Sequence, residues 1–251
     1  MSQQTPTLYL LDGSSWLYRA FHALPPLTNA QGQPTGAVFG MGNMLRKLLA
    51  SESPEHIAVI FDPRGKTFRH ELDANYKANR PPVPPDLSDQ FEPIREMVDG
   101  LGLPILQIDG VEADDVIGTL ARQAEAAGWN TVIVTGDKDM AQVVSDQTVL
   151  YDTMKDRRMD PAGVVEKFGV GPERIIDLLA RGVNSFVRSR LDLHPGLEFC
   201  APDPRGALIR CPACPATSPA YLFCKDSLEG AQKWGRLEHV QVLRLSLLRL
   251  Q

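Results

Sequence analysis

No stretch of this sequence approaches the roughly 18 consecutive apolar residues that a membrane-spanning helix requires. Its opening, MSQQTPTLYLLDG, has neither the basic start nor the apolar centre of a secretory signal. The expectation is a cytoplasmic chain with no membrane partner. A surplus of positive charge is also missing: the formal net charge is −5, so any affinity for nucleic acid must come from a local patch. Cysteine is absent until Cys200. Two phosphate-binding signatures are missing as well, since no G-x-x-x-x-G-K-[ST] occurs and no G-x-G-x-x-G follows a strand-like run. A phosphatase with an aspartyl nucleophile is excluded because the second acid it needs, two residues after Asp12, is replaced by Ser14.

What remains is an ordinary globular composition, 43% hydrophobic and 23% charged over 251 residues, enough for one large domain or two small ones. The charge is uneven. Residues 1–180 hold 16 of the 26 Lys+Arg and 25 of the 31 Asp+Glu, a balance of −9, which leaves +4 for residues 181–251. The chain therefore divides near residue 180.

Three segments of the first part share one design, a short apolar run that ends in aspartate. TLYLLDGSS ends at Asp12, HIAVIFDPRG ends at Asp62, and TVIVTGDKDMAQVV delivers Asp137 and Asp139. Continuous runs of this kind predict strands buried on both faces of a parallel sheet. Helical patterns over about 36–50, 86–101 and 113–127 separate them, so the class is α/β with a mostly parallel central sheet flanked by helices. A weaker fourth strand, PILQIDG at 104–110, leads into VEADDVIGTLA, where Glu112, Asp114 and Asp115 crowd the start of a helix.

A lone aspartate after a strand commonly caps a helix or makes a turn. Several strand ends terminating in acids are harder to assign to capping, because neighbouring carboxylates resist shared ionisation. Ligands of open parallel sheets bind at the carboxyl ends of the strands, where all seven acids are expected. An all-oxygen donor set with no His or Cys suits Mg²⁺ or Mn²⁺, and two such ions support in-line phosphoryl displacement. Phosphodiester hydrolysis is the chemistry this predicts.

Between the acid clusters lies DPRGKTFRHELDANYKANRPPVPPDLSDQ, with Arg64, Lys66, Arg69, Lys77 and Arg80 and the aromatic Tyr76. Basic groups neutralise phosphates and an aromatic face stacks an unpaired base. The RPPVPPD run stops any helix, which predicts a flexible loop able to fold over a nucleic-acid strand. Arg19, past Asp12 on the next helical turn, is placed to reach a scissile phosphate. On the residues alone, a non-catalytic module binding branched or single-stranded DNA is the alternative.

The segments LLDGSSWLYRAFHA, FDPRGKTFRHELDANYKANRPPVPPDL, GVEADDVIGTLA and VTGDKDMAQVV closely resemble the 5′-nuclease (PIN-like) domain found at the N-terminus of bacterial DNA polymerase I, a relative of flap endonucleases. The resemblance covers residues 1–180. It implies that Asp12, Asp62, Glu112 and Asp114 hold a first metal with Asp115 in support, and that Asp137 and Asp139 contribute to a second. It also implies that Tyr76, Lys77 and Arg80 belong to an arch that admits a 5′ single strand, that Arg19 and Lys77 assist at the scissile phosphate, and that the substrate is DNA with 5′ ends or flaps, handled by a monomer in primer removal and repair.

After GPERIIDLLA the likeness stops. The family continues with a Gly-Asp-Ser-Ser-Asp-Asn-like acidic motif and a helix-hairpin-type duplex grip. This chain reads RGVNSFVRSRLDLHPGLEFCAPDPRG, so the second metal site is expected to be incomplete and the grip missing. Residues 181–251 read as sequence from an altered frame or rearrangement, with no requirement to fold. The CPAC pair, Cys211 and Cys214, is half of a zinc motif that Cys200 or Cys224 would have to complete.

Overall fold

The computed structural model describes residues 5–179. The expectations for residues 181–251, including the four cysteines, lie outside the described residues. Compactness divides the chain into a unit over Met1–Glu173 and a second over Arg174–Gln251, of which only 174–179 are described.

The first unit is an α/β domain. In chain order its elements are β1 (Thr7–Asp12), α1 (Gly13–Ala23), α2 (Gly36–Glu52), β2 (His56–Ile60), α3 (Phe68–Leu72), α4 (Pro85–Ser88), α5 (Phe91–Gly100), β3 (Ile105–Leu106), α6 (Ala113–Ala126), β4 (Asn130–Val134), β5 (Thr148–Asp152), β6 (Arg157–Met159) and α7 (Pro161–Phe168). They build a six-stranded sheet of order β3-β2-β1-β4-β5-β6. All neighbours are parallel except β6, which runs antiparallel to β5. The expected mostly parallel sheet flanked by helices is what forms.

Both faces of the sheet are covered, which explains the unbroken apolar runs. Tyr9 and Leu11 of β1, Ile57 and Val59 of β2, and Val132 and Val134 of β4 share one buried cluster with Trp16 and Leu17 of α1, Met41, Leu45 and Leu48 of α2, and Ile94 and Val98 of α5. The alternate residues Leu8, Leu10, Ala58, Ile60 and Ile133 are also buried. By the two-residue strand period they face the other way, where α6 packs on β1 and β4 through its buried Val116, Ile117, Leu120 and Ala121.

Three local expectations change. The fourth strand shrinks to Ile105–Leu106, because Gln107–Gly110 leave the sheet. The helix expected over 86–101 is broken at Asp89–Gln90 into α4 and α5. The cause lies in Gln90, whose buried side chain is diverted: its Oε1 accepts from the backbone N–H of Ala37 at 2.7 Å and of Val38 at 3.2 Å, and its Nε2 donates to the Asp86 carbonyl at 2.7 Å. It caps α2 across the fold, where Thr35 supplies no side-chain bond. The basic segment, expected as a loop, contains the one-turn α3 and a run of turns through Asn79.

Candidate active site

The strand order reverses between β1 and β4, whose outward connections run to opposite sides, the position at which open parallel sheets form a ligand crevice at their carboxyl ends. Asp12 closes β1 at this point and is 4% exposed. Its Oδ1 accepts from the Ser15 N–H at 2.9 Å, capping α1, and its Oδ2 accepts from the Thr135 hydroxyl at 2.9 Å. Burial raises its pKa to about 6 against those bonds, with the charges of Asp62 and Asp137 adding to the rise.

Asp62 follows β2. Its Oδ1 accepts from the Ala113 N–H at 2.8 Å, so a carboxylate from the neighbouring strand sits on the N-terminus of α6. That contact brings the head of α6 to the crevice. Asp114, in its first turn, opens to solvent yet is closely surrounded by protein. This desolvation, followed by the charges of Asp12, Asp137, Asp62 and Asp115, pushes its carboxyl up to about 8. Asp137 is fixed by the loop after β4: its N–H donates to the Thr135 hydroxyl at 3.1 Å and its Oδ1 accepts from the Asp139 N–H at 2.8 Å. Asp139 begins a 3₁₀ turn, its pKa raised by burial and by Asp137, and its buried Oδ1 has no hydrogen-bond partner among the described residues.

Glu112 and Asp115 stand in a second group. Glu112 accepts from Lys77 Nζ at 2.8 Å, the Tyr76 hydroxyl at 2.9 Å and the Thr67 hydroxyl at 3.4 Å. Arg69 Nη2 donates to Asp115 Oδ1 at 2.8 Å, and its Nη1 reaches Glu112 at 3.5 Å. Burial acts to raise the Glu112 pKa, but the bond and charge of Lys77, then Arg69 and Tyr76, hold it below the usual value. Burial and the Glu112 charge push the Tyr76 phenol up, so it remains a donor. The basic segment thus touches the acidic rim directly. Among the described residues, no three Asp, Glu, His or Cys side chains converge as a ready-made cage for a metal.

The remaining basic residues are spread more widely. Arg64 pairs with Glu92 at 2.7 Å in the open, while Lys66 and Arg80 are exposed. Beside Asp62 a cleft of about 630 Å³ is lined by Ser14, Tyr18, Phe61, Arg64 and Phe91 among others. Arg19 pairs with Asp152 at the end of β5 at 3.1 Å. Thr135, Thr67 and Asp152 also touch these groups, and no sequence motif marks Thr135 or Thr67. For Asp152 a signal exists, because TVLYD is another apolar run ending in aspartate.

The strand order defines a doubly wound α/β protein with carboxylates gathered at its switch point. The chain belongs to the family described as 5′-3′ exonuclease, N-terminal resolvase-like domain, whose model matches residues 7–169. It is 60% identical over 190 residues to DNA polymerase I of Pseudomonas aeruginosa, covering 76% of this chain and 20% of that protein. It is 41% identical over 196 residues to a 5′-3′ exonuclease of Aquifex aeolicus, covering 78% of this chain and 66% of that one. The chain therefore spans about a fifth of the polymerase it matches. Among solved structures, bacteriophage T5 5′-exonuclease with bound zinc aligns at a TM-score of 0.56 and 22% identity, covering 69% of this chain and 65% of that one. A T5 flap endonuclease in complex with DNA and metal ions aligns at 0.54 over the same shares. These two likenesses concern the fold.

Proposed function

We propose that residues 1–180 form a divalent-metal-dependent 5′ nuclease that hydrolyses DNA phosphodiesters at 5′ ends or flaps, acting as a monomer in the cytoplasm. The observation that carries this reading is the gathering of Asp12, Asp62, Asp114 and Asp137 at the switch point, where burial first and then the neighbouring carboxylate charges raise Asp12 and Asp114 to about 6 and about 8. Neighbouring like charges resist shared ionisation, and a cation among them relieves that cost. The oxygen donors fit Mg²⁺ or Mn²⁺, and the unpartnered Oδ1 of Asp139 adds another. Asp12, Asp62 and Asp114, which do not converge on one point in this structure, would have to close around the first ion with Glu112 and Asp115 close by, and Asp137 and Asp139 would contribute to the second. Such ions supply an activated water and stabilise the departing oxygen. The named relatives are a DNA polymerase I and a 5′-3′ exonuclease, which supports the reaction.

The chain's own residues supply binding and orientation. Lys77, Arg69 and Tyr76, now on Glu112 and Asp115, exchange those partners for phosphates and an unpaired base. Lys66, Arg64 and Arg80 extend the contact to the incoming strand, and Arg19 offsets charge at the scissile phosphate. Incubation of the chain with a 5′-labelled flap tests the reading: cutting in Mn²⁺ or Mg²⁺ that stops in chelator supports it, and an intact flap with every metal contradicts it.

A second reading, a non-catalytic binder of branched or single-stranded DNA, is favoured by the pairing of Glu112 with Lys77 and Asp115 with Arg69, which occupies two of the acids. Flap binding without turnover, undiminished in chelator, is its signature.

A further inference from the structure

Arg19 sits in the second turn of α1, a helix whose start is fixed by Asp12. Its side chain crosses the loop after β4 and reaches the end of β5. There Nη1 donates to Asp152 Oδ1 at 3.1 Å, between side chains only 25% and 20% exposed and 133 positions apart in sequence. Asp152 is itself oriented, since the same oxygen accepts from the Met154 N–H at 3.1 Å, while Lys155 stands 3.7 Å from Oδ2. Between the two ends the guanidinium lies directly on Gly136. A Cβ built there would fall 1.4 Å from Nη2 and 2.5 Å from Cζ, so no other residue fits beneath Arg19 as it stands. Gly136 separates Thr135, which binds Asp12, from Asp137. The register places Thr135 and Asp152 next after the paired Val134 and Tyr151, so both features sit at the same level of adjacent strands. A guanidinium has five N–H donors in a rigid fork, and among the described residues Arg19 uses one of them, on Asp152.

We infer that Asp152 and Gly136 form a saddle that positions Arg19: the carboxylate anchors one edge of the guanidinium, the bare glycine lets it lie flat beside the Asp137 loop, and the unused donors are presented to a substrate phosphate. The phosphate step rests on the nuclease reading above; the saddle does not. Asp152 is a positioning residue that acts through Arg19. It costs the arginine one donor and spares it the search through its rotamers, so its loss lowers the rate of the bound complex more than the affinity.

The test compares the full chain with Arg19→Ala, Asp152→Ala, Asp152→Asn and the Arg19→Ala/Asp152→Ala double variant, each checked for a cooperative melt. Three readouts apply: single-turnover cleavage of a 5′-flap DNA in Mn²⁺, half-saturating enzyme concentration, and the ¹⁵N signals of the Arg19 guanidinium. Expected are a rate loss of about tenfold to a hundredfold in each Asp152 variant, little change in half-saturation, no additional loss in the double variant over Arg19→Ala, and a broadened or shifted Arg19 signal. An Asp152 variant that cleaves like the wild type, or losses that multiply in the double variant, overturns the inference. If the wild-type chain leaves the flap intact, the nuclease reading fails separately and the saddle is judged on the other readouts. A changed Arg19 signal in Asp152→Asn with half-saturation for the flap little altered sustains it. An unchanged signal, or a large loss of flap binding, overturns it.

Discussion

Lys77 donates to Glu112 Oε1 at 2.8 Å from a backbone in the left-handed region, with φ of 56°. A non-glycine residue held there carries local strain, which persists where surrounding contacts over-determine it. Here those contacts are Glu112, Tyr76 and Arg69, joined in one network between the basic segment and the head of α6. Replacing Lys77 by Met removes the strongest influence lowering the Glu112 pKa. A group with a depressed pKa contributes stability present above its unfolded value and lost as pH falls through the folded one. The variant should therefore lie about 1–2 kcal/mol below the wild type near neutral pH, and the gap should close on acidification below about pH 4. Thermal melts across that range check it.

Asp12 and Asp114 titrate in the opposite sense. Their folded values of about 6 and about 8 exceed the ordinary 3.8, so the stability they contribute is complete below about pH 4 and is lost as pH rises to about 8. For Asp12, which is buried, the shift corresponds to about 3 kcal/mol. Metal-free protein should thus melt at a lower temperature at about pH 8 than at about pH 5, and Mg²⁺ or Mn²⁺ should raise the melting point more at the higher pH. A metal effect independent of pH contradicts this.

Gln90→Ala should destabilise the domain by about 1–3 kcal/mol, because the N–H groups of Ala37 and Val38 lose their acceptor at a buried helix start. Urea denaturation followed by circular dichroism measures the loss. Gln90→Glu, which keeps an oxygen toward Ala37 and Val38, should recover part of it.

Gly13→Ala should also destabilise, by about 1–3 kcal/mol. The added Cβ would lie 2.8 Å from the Phe61 ring and 2.9 Å from Val59 Cγ1, pushing the end of β2, and with it Asp62, away from Asp12. The expected readout is a lower melting temperature together with weaker metal-induced stabilisation.

Much of this fold could be read locally. The runs ending at Asp12 and Asp62 and the one preceding Asp137 are strands because burial on both sheet faces demands unbroken apolar sequence, a pattern visible within six residues. Helix α1 was harder to see, as GSSWLYRAFHA follows β1 without a separating turn, Asp12 serving both elements at once. The broken helix at Gln90 has no local cause: its side chain serves Ala37, 53 positions earlier. The same limit applies to the site. Acids at strand ends mark the rim, whereas the division of the rim follows from the segment over 67–77, whose donors reach acids 35 to 46 positions away. The Arg19–Asp152 pair is longer in range still, and the side-by-side placement of β1, β4 and β5 brings it together.

The most direct measurement is cleavage of a labelled 5′-flap DNA by the chain in Mg²⁺ and in Mn²⁺, beside Asp114→Asn. The carboxylate of Asp114 meets the charges of Asp12, Asp62 and Asp137 together, so its amide should keep the fold, since an uncharged group suits that position, while abolishing metal-dependent cutting. Metal-dependent cleavage by the wild type that vanishes in Asp114→Asn is the predicted result. A folded wild-type chain that leaves the flap intact, or an Asp114→Asn variant that cuts as well as the wild type, would contradict it.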